Sequence, residues 1–229
     1  MSVPSDKNAS VDPDSQAGLD FAPPDPLEFE IVTPRLVIRP YRLDDIDAVF
    51  DAVNHNREHL LPWLPWAKKD HHTRAQTAAF LAKNVVDRES PQRIFGRGLD
   101  VAVCDRHSGA FIGGTGLHDL RRDSASCEIG YWIVRDRCRE GICSEAVAHW
   151  LSWLFTPQQQ GGFGLRRARI FCDKPNAASA GVPTKLGLRL EVEMRDEAFI
   201  EGVGLVDRLG WGVLASEWDC ERHAVFARD

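Results

Sequence analysis

Three arginines and one glycine crowd into ten residues, Arg135-Asp136-Arg137-Cys138-Arg139-Glu140-Gly141-Ile142-Cys143-Ser144. The segment follows an apolar run of strand type and precedes one of helical type, so the glycine falls at a helix N-terminus. Free backbone amides there, with guanidinium groups nearby, suit a phosphate or pyrophosphate. A solvated turn has the same composition, and these residues alone leave both readings open. Metal chemistry is not expected. The six cysteines, Cys104, Cys127, Cys138, Cys143, Cys172 and Cys220, form no C-x-x-C pair and join no histidine at metal-ligand spacing. Three of them (Cys104, Cys127 and Cys172) sit in strand-type apolar runs, where cysteine acts as a small buried hydrophobe, and reduced thiols are expected. Gly113-Gly114-Thr115-Gly116 lacks G-x-G-x-x-G spacing and a following helix, so it reads as a strand with a bulge rather than a nucleotide loop.

A loop of this kind needs a strand before it and a helix after it. Residues 126–134 supply the strand, the third of an antiparallel meander with 99–104 and 110–117, joined by polar turns at His107-Ser108-Gly109 and at 121–124. The helix is 144–155, with Ala146, Val147, Trp150, Leu151 and Leu154 at helical spacing before Pro157. Upstream, Leu36 and Ile38 alternate in a short strand at 36–40. Ile46, Val49, Phe50 and Val53 then mark an amphipathic helix behind Asp44 and Asp45, which ends before Pro62 and Pro65. Thr73 caps a second helix, broken at Ser90-Pro91. Downstream come a strand at 167–173, a helix from Asn176 to Gly187, and a hairpin of 188–200 with 205–214 around Glu201-Gly202. The order β, αα, βββ, α, β, α, ββ describes one mixed α/β (α+β) domain over residues 29–220. An acidic tail expected to be disordered, 1–28, precedes it, and a short tail, 221–229, follows.

The charge balance supports that division. Of 34 Asp and Glu and 28 Lys and Arg, residues 1–30 hold seven acids and Lys7 alone, which leaves 27 of each sign for the rest. A near-neutral domain offers no broad basic footprint, so no direct nucleic-acid binding is expected. No stretch approaches a membrane span, and the N-terminus has neither a basic start nor an apolar core of signal type. The expectation is a cytoplasmic protein that does not engage membranes.

Four segments in order, CEIGYWI at 127–133, CREGICSEA at 138–146, DKPNAAS at 173–179 and KLGLRLE at 185–191, resemble the GNAT superfamily of acyl-CoA-dependent N-acyltransferases. TPRLVIRPYRLDD at 33–45, REHLLPWLPWA at 57–67 and the ending at 207–218 are similar to its RimJ/RimL branch, the N-terminal acetyltransferases of ribosomal proteins. The resemblance spans about residues 31–218. It implies a mixed, mostly antiparallel sheet of six to seven strands, flanked by about four helices and splayed at the acyl-CoA site. It also implies acetyl-CoA as the cofactor and a primary amine as acceptor, either a protein N-terminus or a small molecule, in a monomer or a homodimer. By resemblance, Ile133 and Val134 line the pantetheine arm, while Arg139, Gly141, Ile142, Cys143 and Ser144 surround the pyrophosphate. Asn176 and Ser179 face the thioester, and Trp63 and Trp66 border the acceptor, although a Pro-bounded loop anchored by two indoles is equally a packing device.

Such a transfer needs a group that takes the amine's proton and one that protonates the departing thiolate. Glu128, in the strand leading to the loop, is the candidate base; it is also placed to be an exposed sheet residue or an arginine's partner. Ser179 stands where the RimL type uses a serine and is the candidate acid, unless its hydroxyl is spent on helix backbone. The two tyrosines, Tyr41 and Tyr131, lie outside the region where many GNAT enzymes keep an acid tyrosine. Some positions depart from the pattern. Cys138 and Cys143 occupy loop positions usually held by other residues, Glu140 adds an acid, Pro183 interrupts the helix after Asn176, and Ala198 replaces a hairpin glutamate. Glu197 could stand in for that glutamate only across a bulge, because successive strand residues face opposite sides. A non-catalytic acyl-CoA-binding domain is the alternative that these departures raise.

Overall fold

The computed structural model describes residues 21–25 and 27–224. Its strands are β1 (Ile31–Val32), β2 (Leu36–Pro40), β3 (Leu99–Asp105), β4 (Phe111–Arg121), β5 (Ser126–Ile133), β6 (Arg167–Asp173), β7 (Arg189–Ile200) and β8 (Gly204–Leu214). Its α-helices are α1 (Ile46–His55), α2 (Arg57–Leu60), α3 (Arg74–Glu89), α4 (Ile142–Phe155), α5 (Ala177–Lys185) and α6 (Cys220–Ala224). The strands form one open sheet in the order β1-β2-β3-β4-β5-β6-β8-β7, antiparallel throughout except between β5 and β6.

The sheet is covered on both faces, and the sequence periods explain how. On one face α1 turns Val49 and Val53, and α3 turns Leu81, onto Tyr41, Ala102 and Cys104. The Thr73 hydroxyl caps α3 by accepting from the Gln76 amide at 3.2 Å. On the other face α4 is apolar almost all round because it is enclosed by the sheet, α5 and α6, and Trp150 is completely buried at its centre.

One charge sits inside this second core. Glu145, in the first turn of α4, is fully buried and accepts hydrogen bonds from the Thr33 hydroxyl, the Arg35 amide (3.2 Å) and Arg35 Nε (2.6 Å). The turn between β1 and β2 is thereby fastened to the helix whose N-terminus follows the arginine-rich loop.

The seven strands read from the sequence are all present, and the eighth is β1, whose two residues are too few to show a period. The ordered chain also starts earlier than residue 29. Leu27 is buried in the core, Phe21 packs against Phe95 and Phe163, and Phe29 stacks on Trp153 at 4.2 Å, so isolated large apolar residues anchor a stretch whose composition is otherwise that of a tail. The expected disorder of residues 1–20 concerns positions outside the described residues. At the other end α6 carries the fold past residue 220 to Ala224.

Glu145→Gln removes the carboxylate that the Arg35 guanidinium needs. The variant should lose about 3 kcal/mol of stability, as expected when one partner of a buried pair is deleted; a urea midpoint equal to the parent's would contradict this role.

Candidate active site

The site is built where two strands stop pairing. β5 and β6 are in register only at Ser126↔Arg167, Cys127↔Ala168 and Glu128↔Arg169. Beyond Glu128, β5 continues to Ile133 paired with β4 alone, and β6 continues to Asp173 paired with β8 alone. The facing edges carry backbone donors and acceptors with no ladder partner. A cavity of about 1370 Å³ follows this wedge.

At one end lies the arginine-rich loop. Gly141 is the N-cap of α4, with φ +76° and no side-chain cap, so the first amides of the helix are left open toward the cavity. A Cβ at Gly141 would meet only Arg35 Nη2 at 3.5 Å and Lys185 Nζ at 3.8 Å, which places two cations over the helix N-terminus. Arg35 Nη2 is buried and has no hydrogen-bond partner, although its neighbours Nε and Nη1 are held by Glu145 and by the Glu140 carbonyl (2.8 Å). An orphaned guanidinium nitrogen beside uncapped amides fits a phosphate group. Arg139, Gly141, Ile142, Cys143 and Ser144 all line this end together with Ile133. Val134 does not: its amide donates to the Ile112 carbonyl at 2.9 Å and its side chain packs on the core. Of the two residues, Ile133 and Val134, the cavity is therefore lined by Ile133 alone, beside the open edge of β5.

At the bend of the wedge, Asn176 caps α5 by accepting from the Ser179 amide at 3.1 Å. Ser179 Oγ donates to Tyr131 Oη at 3.3 Å, and Tyr131 Oη donates to the Ser179 carbonyl at 2.9 Å. Burial raises the Tyr131 phenol above its ordinary range, so it stays protonated. Farther along, Glu128 lines the cavity about 3.7 Å from Arg208, and the rings of Trp63, Trp66 and Trp132 form the far wall, with Trp66 and Trp132 5.9 Å apart.

Residues 35–189 match the family model of the acetyltransferase (GNAT) domain. The chain belongs to the GNAT acetyltransferases. It is an acetyl-CoA-dependent N-acetyltransferase. Among its relatives is YdaF of Bacillus subtilis (strain 168), provisionally named a ribosomal N-acetyltransferase, which is 23% identical over 83% of this chain and 97% of its own. Among solved structures, RimJ of Mycobacterium smegmatis in complex with CoA-disulfide superposes with a TM-score of 0.73 at 23% identity, covering 89% of this chain and 96% of that one. The ribosomal-protein-S5-alanine acetyltransferase of Vibrio fischeri gives 0.71 at 21% identity, covering 84% and 100%.

Within this GNAT frame the departures find physical explanations. Glu140 does not face the phosphate end as a free acid, because Arg137 Nε holds its carboxylate at 2.8 Å while Arg137 Nη1 reaches Asp105 at 3.1 Å. Cys143 is small enough for the loop, and burial pushes its thiol up to about 12, so no thiolate forms there. Pro183 does not break α5, which runs on to Lys185. A proline has no amide hydrogen for the carbonyl four residues earlier, and that carbonyl belongs to Ser179. Tyr131 supplies the missing donor. The hairpin behaves differently. The β7 register does shift between Met194 and Ala198, where Asp196 has φ +53°, yet Glu197 remains exposed and off the cavity wall, so the bulge does not bring it to the site.

Sequence reasoning passed over Arg35, Lys185, Tyr131, Asp100, His118 and Arg208, which reach the cavity or its rim from distant segments. Only Tyr131 left a legible trace, since Pro183 implies an unfilled Ser179 carbonyl. Tyr131→Phe should cost about 1–2 kcal/mol by stranding that carbonyl. In a Pro183→Ala background, where the helix amide returns, the cost should fall below about 0.5 kcal/mol in a double-mutant cycle of urea unfolding. Equal costs in the two backgrounds would contradict the substitution of one donor for another.

Proposed function

We propose that the acceptor is the α-amine of a protein N-terminus, of the kind presented by ribosomal proteins, and that it enters past Trp63 and Trp66. The observation that carries this is the make-up of the acceptor end. Asp70, Asp100 and Glu128 line it among Trp63, Trp66, Trp132, Tyr41 and Phe80, a setting that attracts a cation and packs the apolar part of a first residue. The cavity exceeds the roughly 300–1,000 Å³ usual for a single small ligand, so an extended peptide end fits beside an acyl-CoA arm. The names of YdaF and of the Vibrio fischeri enzyme point the same way. The six cysteines are all free thiols, in keeping with a cytoplasmic enzyme.

Bound acetyl-CoA supplies an acetyl group activated as a thioester. The chain's residues do the rest. Ile133 and the open edge of β5 hold the arm, while the α4 amides, Arg139, Arg35 and Lys185 hold the phosphates. Glu128, beside Arg208 and open to the cavity, accepts the ammonium proton. Ser179 donates a proton to the departing sulfur, and Tyr131 holds the Ser179 carbonyl and hydroxyl in place.

The test is a panel of peptides with free N-termini set against aminoglycosides and aminoacyl compounds. Peptides should be acetylated, and Glu128→Gln should lower kcat about 100-fold or more with acetyl-CoA affinity unchanged. Turnover confined to the small amines would overturn the N-terminal reading. Parent-like kcat in Glu128→Gln would remove the carboxylate from the mechanism.

A further inference from the structure

The Gly113-Gly114-Thr115-Gly116 run gives β4 a bare patch on the face that carries Glu128. Gly114 and Gly116 stand beside Trp132 and Gly130 of β5, and Gly116 also stands opposite Asp100 of β3. Head groups from neighbouring segments occupy the space that side chains would fill. An added Cβ at Gly114 would lie 2.9 Å from Tyr41 Oη and 3.0 Å from the Trp132 indole nitrogen, and one at Gly116 would lie 3.0 Å from Asp100 Oδ1. The cavity extends over this floor as far as Val49 of α1 and Phe80 of α3, which makes a recess with apolar walls and a polar base.

Two polar groups at that base lack a partner. Tyr41 is only 4% exposed, yet its hydroxyl joins no hydrogen bond among the described residues, and burial keeps it protonated. The Asp100 carboxylate likewise joins none. Its ion-pair neighbour, His118 Nε2, stands 3.8 Å away, beyond hydrogen-bonding reach. Lys83 acts on Asp100 only through space and is itself paired with Asp87 at 2.8 Å. The register fixes how far this base lies from the chemistry. His118 pairs with Glu128 and Gly116 is two residues along β4, so the floor beneath Asp100 is about 7–8 Å from Glu128 on the diagonal of the ladder. An extended lysyl or arginyl side chain spans that interval when its α-amine is at Glu128.

We infer that the recess binds a second cation of the acceptor, one extended side chain away from the amine that is acetylated, with Asp100 as its counter-charge. The inference rests on the proposed acceptor with its amine at Glu128, and it deepens that reading by naming the class of N-terminus: one whose first residue is lysine or arginine. The aliphatic stem of such a side chain packs on Phe80 and Val49, and its head makes the direct charge-assisted bond to Asp100 that His118 is too distant to make. Tyr41 Oη accepts a further N–H from the same head. An uncharged side chain of equal length fills the recess but leaves the carboxylate and the phenol unpartnered, which is the source of the discrimination. A small diamine presents the same pair of charges.

The test measures kcat/KM for peptides that differ only in their first residue, lysine against norleucine, which keeps the carbon chain and lacks the ammonium. The parent should favour lysine about 10-fold or more, chiefly through KM. Asp100→Asn preserves the shape and should bring the two peptides to within about 2-fold of each other, the lysine peptide falling. Because the comparison is a ratio within one protein, a partly unfolded variant does not mimic this result. Tyr41→Phe should narrow the preference without abolishing it. Equal use of the two peptides by the parent, or an undiminished lysine preference in Asp100→Asn, would overturn the inference. A second pair, diaminopentane against pentylamine, separates the sources of the cation. A parent that acetylates no peptide but prefers the diamine, with the preference lost in Asp100→Asn, would overturn the N-terminal reading while supporting the cation recess, so the two failures are distinct.

Discussion

The divergence of β5 from β6 is the constraint on which the rest depends. Each strand is paired along its outer side, β5 with β4 and β6 with β8, so the wedge between them cannot close by sliding one strand without breaking that ladder. Tyr131 holds it open from within, reaching from β5 to the carbonyl of Ser179 on α5. The outcome is a row of unpaired backbone groups lining a cavity. Such groups are costly unless a partner satisfies them, and a ligand that carries amides of its own is such a partner.

The phosphate end follows from the same geometry. The chain leaves β5 into a loop that has to turn back onto the sheet as α4, and Gly141 makes the turn in a left-handed conformation that leaves the helix amides uncapped. Buried Glu145, through Arg35 Nε, and the Glu140 carbonyl, through Nη1, then fix Arg35 over that N-terminus and leave Nη2 unpartnered. A single arginine thus joins the fold's first turn to the binding loop. Around it, Arg137 absorbs both Glu140 of the loop and Asp105 of β3, so neither of these acids cancels the positive end of the helix.

Much of this was legible in the sequence where local periodicity governs. The apolar spacing of Ala146, Val147, Trp150, Leu151 and Leu154 places α4, Thr73 marks the start of α3, and Asn176 that of α5. Arg139, Gly141, Ile142, Cys143 and Ser144 of the loop and the pair Trp63 and Trp66 were found from motif position and do meet in one cavity. What could not be read are the meetings of residues far apart in the chain. Arg35 and Gly141, Tyr131 and Ser179, and Asp100 with His118 depend on strand order and on which glycines leave room, and neither has a local signature. Val134 stands off the cavity for a related reason: one residue beyond the strand end, its amide is claimed by β4. The bulge before Ala198 exists, but its direction, which keeps Glu197 in solvent, is a property of the hairpin's twist rather than of its composition.

The central claim is that the open N-terminus of α4 receives the phosphates of acetyl-CoA. A calorimetric titration of acetyl-CoA into the parent and into Gly141→Glu tests it most directly, since the variant puts a carboxylate between Arg35 and Lys185 at a position of positive φ. The account predicts micromolar binding by the parent and its loss in the variant. Undiminished binding by Gly141→Glu, or none by the parent, would contradict it.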